Sequence, residues 1–596
     1  MAERIFNIIN ETYEPEASTN FFDEIEAAIG RIPDYRKVYN QLNQVFKKFL
    51  GQQTGGTRIN FGGTFAKTDY LLKEHGASNR MVKMVNDTRV RLRKQYEMSD
   101  ADLEKSCLSD VKHLCQFIAF ICKTDIPPRL TRVFPKERAS SYTPMLVGDC
   151  MRGIVESWDD EFVYVRTEES DDGGFKKVCY ADGNLTYNFD WTYLKGLFYK
   201  NAQLNLVRPR EKGGVIYPEL IIFEPDYLVN ISTVAHCFTS YADSPLVELI
   251  KKLEPKQTTA ATLLGNFAGQ LLDESIHQLP NTHPYKQSVM DFFKGNAISM
   301  LTVDVGTQFH DDARIQKQHI ADAIHTTLPQ QVGKFNSKNG IVEPSFFSEM
   351  LGLQGRMDYL QMDYKVLMEQ KSGKGGFPYD NFISPVQTDE HYVQTLLYML
   401  LIRYNFREQY EHNGRKLHAF LLYSKYQNSL LGLGFAPELI FKAIKVRNEL
   451  AWAEMCYAQP NGYRILEELT PEKLNKKNLK TRFWNDYLRP QIAGVLDPIH
   501  QASELEKAYY FRFLTFIANE HVMSKLGNKT KESSGFAAAW HDSLEEKRQA
   551  GNIYDGLTLL TPDKQTEGQI RSVELGFSEG EDNDMLNFRA GDIVIL

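Results

Sequence analysis

Residues 353–371 of this chain, LQGRMDYLQMDYKVLMEQK, place two strand-like runs on either side of a four-residue polar break. Two such runs with a short polar connection favour an antiparallel β-hairpin. The hairpin would set Asp358 opposite Glu369. Because side chains alternate between the two faces of a strand, Glu369 and Lys371 would point to one side and Gln370 to the other. The hairpin therefore fixes the local fold and gathers two acids and a lysine at one point.

Two carboxylates beside a lysine suit chemistry at a divalent cation. Asp358 and Glu369 can bind Mg²⁺ or Mn²⁺ through oxygen, and the carbonyl of Gln370 can supply another ligand. The ion would lower the pKa of a bound water and neutralise charge that builds on a phosphodiester. Lys371 would orient that water or stabilise the pentavalent state. Taken alone, an acid-x-Lys triplet is explained more simply by an ion pair on a surface strand.

The segment DEHYVQTLLYMLLI strengthens the hypothesis of a site. His391, Gln394 and Tyr398 are spaced by three and four residues, so they share one face of a predicted helix. That face could lie over the hairpin, where Gln394 and Tyr398 would hydrogen-bond the catalytic groups or a DNA backbone. The alternative is an amphipathic helix with chance polar residues.

The length of 596 residues exceeds what one hydrophobic core can hold, so the chain should form several domains. Three-four apolar spacing predicts helices in the first part, and short β-branched runs broken by DDGG and EKGG then predict strands. We expect an α/β (α+β mixed) multidomain fold. The predicted domains are a helical N-terminal domain at 1–135, a small β-rich, barrel-like domain at 136–225, a mixed domain at 226–465, a helical segment at 466–560 and the start of a β-barrel at 561–596.

Composition limits the classes of function. The net charge of -8 gives no overall attraction to nucleic acid, so any such binding needs local basic clefts. Seven scattered cysteines without a C-x-x-C pair favour reduced thiols in the cytoplasm. No signal peptide is recognisable at the N-terminus, and no apolar run approaches the ~20 residues of a membrane span. The segment NRMVKMVNDTRVRLRK is basic, and its charge pattern favours the solvated face of a helix over a contact with nucleic acid. Its cations are Arg80, Lys83, Arg89, Arg91, Arg93 and Lys94.

The order G-R-M-D, E-Q-K and Q-T-L-L-Y resembles motifs II, III and QxxxY of the RecB-like PD-(D/E)XK nucleases. VEPSFFSEMLGLQGRMDYL, LMEQKSGK and EHYVQTLLYMLLI are similar to the nuclease half of the eukaryotic-type DNA replication ATP-dependent helicase/nuclease family. Four further segments fit the order of that family's motifs. Two precede the hairpin, IIFEPDYLVNISTVAHCF and TLLGNFAGQLLDESI, and two come after the helix, RNELA and the closing LNFRAGDIVIL. The resemblance covers about residues 215–596 and implies a restriction-endonuclease-like core, with a last segment that begins the β-barrel preceding a helicase.

Three departures from the family pattern stand out. The family has a metal-binding histidine four residues after the motif I glycine, but here Gly265 is followed at that spacing by Gly269 and then Gln270. The alternative ligands on the same predicted helix are Glu274 and His277. Four cluster thiolates cannot be assembled, so we expect no iron-sulfur cluster. No G-x-x-x-x-G-K-[ST] occurs, so we expect no ATP site in this chain.

The resemblance implies a metal-dependent nuclease that cuts single-stranded or flap DNA in replication, repair or defence, with a fused or separate superfamily 1 helicase as partner and no membrane. Asp358, Glu369, Lys371, Gln394 and Tyr398 would be catalytic. Asp358, Glu369, Gln370 and Glu274 would hold Mg²⁺ or Mn²⁺, and Lys374, His391 and Arg356 would contact DNA. The alternative is a catalytically weak or inactive nuclease fold that binds DNA or scaffolds a partner helicase. Since the closing LNFRAGDIVIL reads as the start of a strand, we also expect a longer parent protein or a shortened relative of one.

Overall fold

A computed structural model gives the fold. The residues it describes are 19–55, 57, 61, 63–135, 149–167, 174–181, 189–277, 284–303, 305–333, 335–377, 385–527, 535–542, 544–554, 557–562 and 573–577. The fold is mixed α/β and mostly helical. The chain divides into two compact units, Met1–Asp226 with His521–Leu559 and Leu575–Leu596, and Tyr227–Glu520 with Leu560–Glu574. The finer predicted domain boundaries stay predictions. Among the described helices, none combines the length and apolarity needed to cross a membrane.

The first unit begins with helices around one apolar core. Its longest helix starts at Ser99, whose side chain accepts a hydrogen bond from the backbone N–H of Asp102, and ends at Lys123 in the left-handed conformation. Its buried face includes Leu103, Leu114 and other apolar residues at helical spacing. The helices are α1 Thr19–Ile29, α2 Tyr35–Thr54, α3 Gly63–Glu74, α4 Asn79–Arg93, α5 Asp100–Cys122 and α6 Pro128–Thr131.

The basic segment on α4 is not simply a solvated face. Arg91 is 2% exposed and donates to both carboxylate oxygens of Asp110, with nitrogen–oxygen distances of 2.6 to 3.0 Å. Arg89 is 1% exposed and lies over the Phe65 ring. Both residues were predicted to face solvent, and that interpretation is wrong for them: the charge of Arg91 is paired with Asp110, and the Arg89 guanidinium is buried over an aromatic ring. The side chains of Arg80 and Lys83 lie outside the described residues.

The β-rich part of the first unit is an open sheet. Its strand order is β5-β6-β3-β2-β1-β4-β7, with β3 and β6 parallel and the other neighbours antiparallel. Within the described residues no sheet closes into a barrel, so the predicted barrel-like shape is wrong. The edge strands β5 and β7 each pair on one side only, and closure depends on such long-range pairing rather than on local pattern. The strands are β1 Cys150–Trp158, β2 Phe162–Thr167, β3 Lys176–Cys179, β4 Gln203–Val207, β5 Arg210–Lys212, β6 Val215–Tyr217 and β7 Leu220–Phe223.

The second unit contains two sheets among helices. A three-stranded sheet has the order β10-β11-β8, and a five-stranded mixed sheet has the order β15-β14-β13-β12-β9. The strands are β8 Val229–Asn230, β9 Gly340–Val342, β10 Ser345–Ser348, β11 Leu353–Arg356, β12 Tyr359–Gln361, β13 Val366–Lys371, β14 His418–Tyr423 and β15 Leu430–Leu433.

The helices of the second unit flank these sheets. They are α7 Ile231–His236, α8 Pro245–Leu253, α9 Ala260–His277, α10 Tyr285–Thr302, α11 Gly306–Asp322, α12 Leu328–Gln331, α13 Asp389–Asn405, α14 Arg407–His412, α15 Pro437–Tyr457, α16 Ile465–Glu468, α17 Pro471–Leu474, α18 Arg489–Gln501 and α19 Glu504–Leu526. A π-helical turn, Trp484–Leu488, leads into α18. Helix α19 passes from the second unit into the first.

A buried arginine of the RNELA segment ties three parts of the second unit together. The Arg447 guanidinium donates to the carbonyl oxygens of Gly352 and Tyr227, at 3.1 and 2.8 Å. Gly352 has φ of 61°, and a Cβ there would lie 2.2 Å from the guanidinium. Glycine is therefore required at this position both for the backbone conformation and for the arginine to approach.

Downstream of α19 the structure describes α20 Ala538–His541, α21 Leu544–Gln549, β16 Leu557–Pro562 and β17 Val573–Phe577, of which the two strands pair with each other. The predicted β-barrel start at 561–596 lies mostly outside the described residues.

Candidate active site

The predicted hairpin is formed by β12 and β13. The two strands are antiparallel, with Tyr359 opposite Met368 and Leu360 opposite Leu367. Extending this register by one residue places Asp358 opposite Glu369. On its other side β13 pairs in parallel with β14, so it is an interior strand of the sheet. Its residues are buried almost throughout, and the carboxyl group of Glu369 therefore lies in the interior of the sheet.

The two carboxylates are held by few donors. The backbone N–H of Gln370 donates to Asp358 Oδ2 at 2.6 Å. Lys371 Nζ and Gln394 Nε2 both donate to Glu369 Oε1, at 3.0 and 2.5 Å. Glu369 Oε2 is buried and has no hydrogen-bond partner among the described residues. A buried carboxylate oxygen without a donor is costly, so this atom is a candidate ligand for an external cation.

The pKa values reflect this shortage of positive charge. Burial, and after it the charge of Asp358, raises the pKa of Glu369 to about 8. Burial also raises the pKa of Asp358, although Lys371 acts against the shift. For Lys371 burial lowers the pKa, but the charges of Glu369 and Asp358 outweigh it and the net shift is upward. Lys371, together with Arg356 acting on Asp358, thus leaves the two buried acids with raised pKa values.

Helix α9 presents a face without bulky side chains near the hairpin. A Cβ at Gly265 would lie 3.3 Å from Ser372 Oγ, just beyond the end of β13. Gly269 is one turn further along, and a Cβ there would meet no atom within 4 Å. Asp273 comes one turn later at the same spacing of four, so all three residues lie on one stripe of α9. This stripe leaves open space at the position where the resemblance implies a histidine.

Asp273 is a candidate site residue that the sequence reasoning missed. Burial, followed by the charges of Glu343 and Asp358, raises its pKa to about 7. Its carboxylate is therefore close enough to the hairpin to feel Asp358. The signal in the sequence was the spacing of four residues from Gly265 through Gly269 to Asp273, which continues the motif I stripe by one turn.

Glu274, the predicted ligand, has other partners. Its Oε2 accepts from Ser288 Oγ at 2.6 Å and lies 3.6 Å from Lys317 Nζ, and its Oε1 accepts from Gln270 Nε2 at 2.7 Å. It is one residue away from Asp273, which is about 100° around a helix. The structure does not bring Glu274 together with Asp358 and Glu369.

Helix α13 carries the predicted glutamine and tyrosine to the hairpin. Gln394 reaches Glu369, as described above, and the Tyr398 hydroxyl donates to the carbonyl oxygen of Arg356 at 2.6 Å. A Cβ at Gly355 would lie 3.0 Å from the Tyr398 ring. The glycine of G-R-M-D therefore lets α13 approach β11 closely.

The predicted DNA contacts are spread around this site. His391 Nδ1 lies 2.8 Å from the Tyr423 hydroxyl, and burial, with Lys371 as the next cause, lowers the pKa of His391 to about 4. Arg356 pairs with Glu343 at 3.0 Å and is well exposed, and Lys374 is exposed on the loop after β13.

The negative charge of the site suits a divalent cation, but its side chains are not arranged as a complete set of metal ligands. In the part of the chain that the structure describes, no three His, Cys, Asp or Glu side chains are arranged to hold a metal ion. The charge of Asp358 nevertheless acts on both Asp273 and Glu369, the cations that act on the three acids are Lys371 and Arg356, and Glu369 Oε2 has no donor among the described residues. The side chain of Gln370 donates to Ser424 Oγ at 2.7 Å, so only its predicted role through the carbonyl remains open.

No protein-family model matches the chain, and a search of curated proteins likewise finds no match.

Proposed function

We propose that this chain is a metal-dependent nuclease that hydrolyses phosphodiester bonds of single-stranded or flap DNA. The observation that carries the proposal is the incompletely compensated pair Asp358 and Glu369, with Glu369 Oε2 buried and without a donor. The motif order supports the same conclusion through its resemblance to RecB-like PD-(D/E)XK nucleases and to the nuclease half of the helicase/nuclease family.

Mg²⁺ or Mn²⁺ would be held by Asp358, Glu369 and Asp273, all of them oxygen ligands of the kind these ions prefer. When bound, the ion activates a water and neutralises charge on the phosphate. It would also give Glu369 Oε2 the positive partner that it lacks. The carbonyl of Gln370 is a further candidate ligand.

The chain's own groups would position the reaction. Lys371, which keeps its proton because two acids raise its pKa, can donate to an oxygen of the scissile phosphate. Gln394 fixes the Glu369 carboxylate by donating to Oε1. Tyr398 fastens α13 to β11 through the Arg356 carbonyl. Arg356 and Lys374 are exposed cations at the margin, suited to DNA phosphates.

The second candidate function is a nuclease fold that binds DNA or scaffolds a helicase without turnover. It is favoured by Gly269, which leaves open the position where a histidine ligand is expected. The retained hairpin and Lys371 favour the enzyme. A fused or separate superfamily 1 helicase that delivers the strand is part of the proposal and rests on the resemblance alone.

The test is cleavage of end-labelled single-stranded and flap DNA with Mg²⁺ or Mn²⁺. We expect products from the wild type, at least a thousandfold less from Asp358→Ala, and no loss from Asp497→Ala, an exposed aspartate on α18. Intact substrate with both metals would favour the second function. Equal cutting by Asp358→Ala would mean that the reaction occurs elsewhere.

Binding separates the two functions further. Isothermal titration of Mn²⁺ into the DNA-free protein should show a site that weakens in Asp358→Ala and in Asp273→Ala. Unchanged affinity in Asp273→Ala, together with loss in Asp358→Ala, would remove Asp273 from the ligand set and leave the nuclease proposal standing.

A further inference from the structure

The segment 473–489, KLNKKNLKTRFWNDYLR, is locally basic in an acidic chain. It contains six lysines and arginines and one acid, Asp486, whereas the whole chain has a net charge of -8. Lys476 and Lys480 are exposed, and no carboxylate in the described part of the chain pairs with either. Arg482 pairs with Asp486 at 2.9 Å but remains 94% exposed. These cations are available to an external polyanion.

Two aromatic rings stand among these cations. Phe483 is 56% exposed and Tyr487 60% exposed, and their ring centroids are 5.8 Å apart with an angle of 32° between the planes. Between them, Trp484 is buried against Tyr241, with 5.4 Å between the ring centroids. Trp484 therefore anchors the segment to the rest of the unit. Phe483 and Tyr487 are not needed for this anchoring and form a separate exposed surface.

The segment is fastened beside the first residue of α13, the helix that also carries Gln394. The backbone N–H of Lys477 donates to the carbonyl oxygen of Tyr241 at 2.9 Å, and Lys477 Nζ lies 2.7 Å from Asp243. Lys477 Nζ is also 3.8 Å from Asp389, the first residue of α13. Gln394 is five residues further along this helix, which is about 7.5 Å along the axis and about 140° around it. The basic segment thus borders the helix that reaches Glu369.

Unpaired lysines around exposed aromatic rings suit single-stranded nucleic acid better as a binding partner than a protein or a duplex. Lysine is depleted in the cores of protein interfaces, where aromatic residues otherwise concentrate. Proteins that bind single strands combine cations along the backbone with rings on which the bases stack. A duplex keeps its bases stacked on each other and offers only phosphates to such a surface.

We propose that single-stranded DNA binds along residues 476–487, with its phosphates on Lys476, Lys480 and Arg482 and its bases on Phe483 and Tyr487. The inference rests on the proposed function for the choice of DNA, and it places the strand beside the start of α13, the helix that carries Gln394. This surface holds the strand next to α13, so the phosphodiester bond that is cut belongs to a strand already gripped outside the hairpin.

The test measures binding of fluorescent oligo-dT to the full chain carrying Asp358→Ala, without divalent metal. Phe483→Ala/Tyr487→Ala should weaken binding at least tenfold, since each stacked base loses its ring. Lys476→Ala/Lys480→Ala should reduce the slope of log affinity against log salt by about 1.4, because a single strand contributes about 0.7 for each phosphate contact.

Matched controls come from the same unit. Tyr509→Ala/Phe513→Ala removes two exposed rings of α19, which are 6.3 Å apart, and should change binding less than twofold. Lys365→Ala/Lys416→Ala removes two lysines at the opposite end of the parallel β13–β14 pair from Lys371, and should leave the salt slope unchanged.

Several results would overturn the proposal. These are losses no larger than in the controls, equal losses for duplex DNA, binding of oligo-U RNA without binding of oligo-dT, or a surface that binds only a protein partner. Hydrolysis of bis(p-nitrophenyl) phosphate with Mn²⁺ distinguishes a failure of the binding-surface proposal from a failure of the nuclease proposal. The surface variants, with Asp358 intact, should keep that activity. If wild type has none, the nuclease proposal fails while the oligo-dT measurements still decide the binding surface.

Discussion

Each unit contains a buried pair of acids, and the two pairs differ in how their charge is compensated. In the first unit, both oxygens of Asp226 are bound by Arg152 at 3.0 Å, and Trp540 Nε1 and His541 Nε2 lie 3.0 and 2.9 Å from them. Glu224, close by, accepts from the Tyr199 hydroxyl and from the backbone N–H of Gln203. Every oxygen of Asp226 is satisfied from within the chain.

The pair in the second unit is left open. Asp358 and Glu369 share Lys371, and Glu369 Oε2 has no donor among the described residues. The pKa of Asp226 is held well below its usual range because Arg152 and His541 outweigh burial, whereas burial raises the pKa of Asp358 and Glu369. An acid whose charge is compensated within the chain, as that of Asp226 is, stabilises the fold, whereas an acid with an oxygen that lacks a donor, as Glu369 has, is available to an external cation. The following predictions separate the two cases.

The largest expected effect is on the closed pair. Asp226→Ala should lower the free energy of unfolding of the first unit by about 3 to 5 kcal/mol, because it leaves the mostly buried Arg152 without its counter-charge. Hydrogen exchange of the β4 amides would measure it. Asp160→Ala, which breaks only an exposed pair with Lys195, should stay within about 0.5 kcal/mol. A small effect of Asp226→Ala would show that the pair is not structural.

Replacing an acid of the open pair should change the free energy of unfolding in the opposite direction to Asp226→Ala. The folded pKa of Glu369 is about 8 against an ordinary 4.5, so the unfolded chain loses its proton first and stability falls as pH rises from 4.5 to 8. In metal-free protein at pH 9, Glu369→Gln should therefore raise the free energy of unfolding by on the order of 2 to 4 kcal/mol. The wild type should instead regain stability on adding Mn²⁺, and the variant should not. Thermal unfolding with and without Mn²⁺ measures both, and destabilisation of the metal-free variant would contradict the open pair.

Glu224 gives a metal-independent comparison. Burial raises its pKa to about 7 from an ordinary 4.5, so it should cost stability progressively between pH 4.5 and 7 and by a constant amount above pH 7. Glu224→Gln should raise the free energy of unfolding of the first unit by about 2 kcal/mol at pH 8 and remove this pH dependence. Mn²⁺ should leave the difference unchanged. A Mn²⁺-sensitive difference would mean that this pair also binds cations.

The smallest expected effect is on Mn²⁺ affinity, when a histidine is introduced on α9 as an additional metal ligand. Gly269→His places an imidazole where a Cβ meets no atom within 4 Å. We expect Mn²⁺ affinity to rise about threefold to tenfold, equivalent to ~0.6 to 1.4 kcal/mol. Gly269→Leu, a side chain without ligand atoms, controls for filling the space. Equal affinities in the two variants would place α9 too far from the metal.

The sequence was informative where structure depends on neighbours along the chain. The hairpin follows from two strand-like runs around QMDY, and the helix bearing Gln394 and Tyr398 from its spacing. The same local reasoning failed for Arg89 and Arg91, because a helical pattern does not reveal that Asp110, nineteen residues beyond Arg91, lies opposite. The barrel prediction failed similarly, since whether β5 and β7 meet is not encoded in either strand alone.

The sequence by itself determined the order of helices and strands, and which acids and lysine share one hairpin, because these depend on local periodicity and turn chemistry. Only the tertiary structure decided that Asp273 rather than Glu274 faces Asp358, that Glu369 Oε2 is left without a donor, and that Lys477 fastens a basic, aromatic segment beside α13. Such facts depend on burial and on contacts between distant segments. The same carboxylate is structural or available to a ligand according to whether the fold brings it a counter-charge.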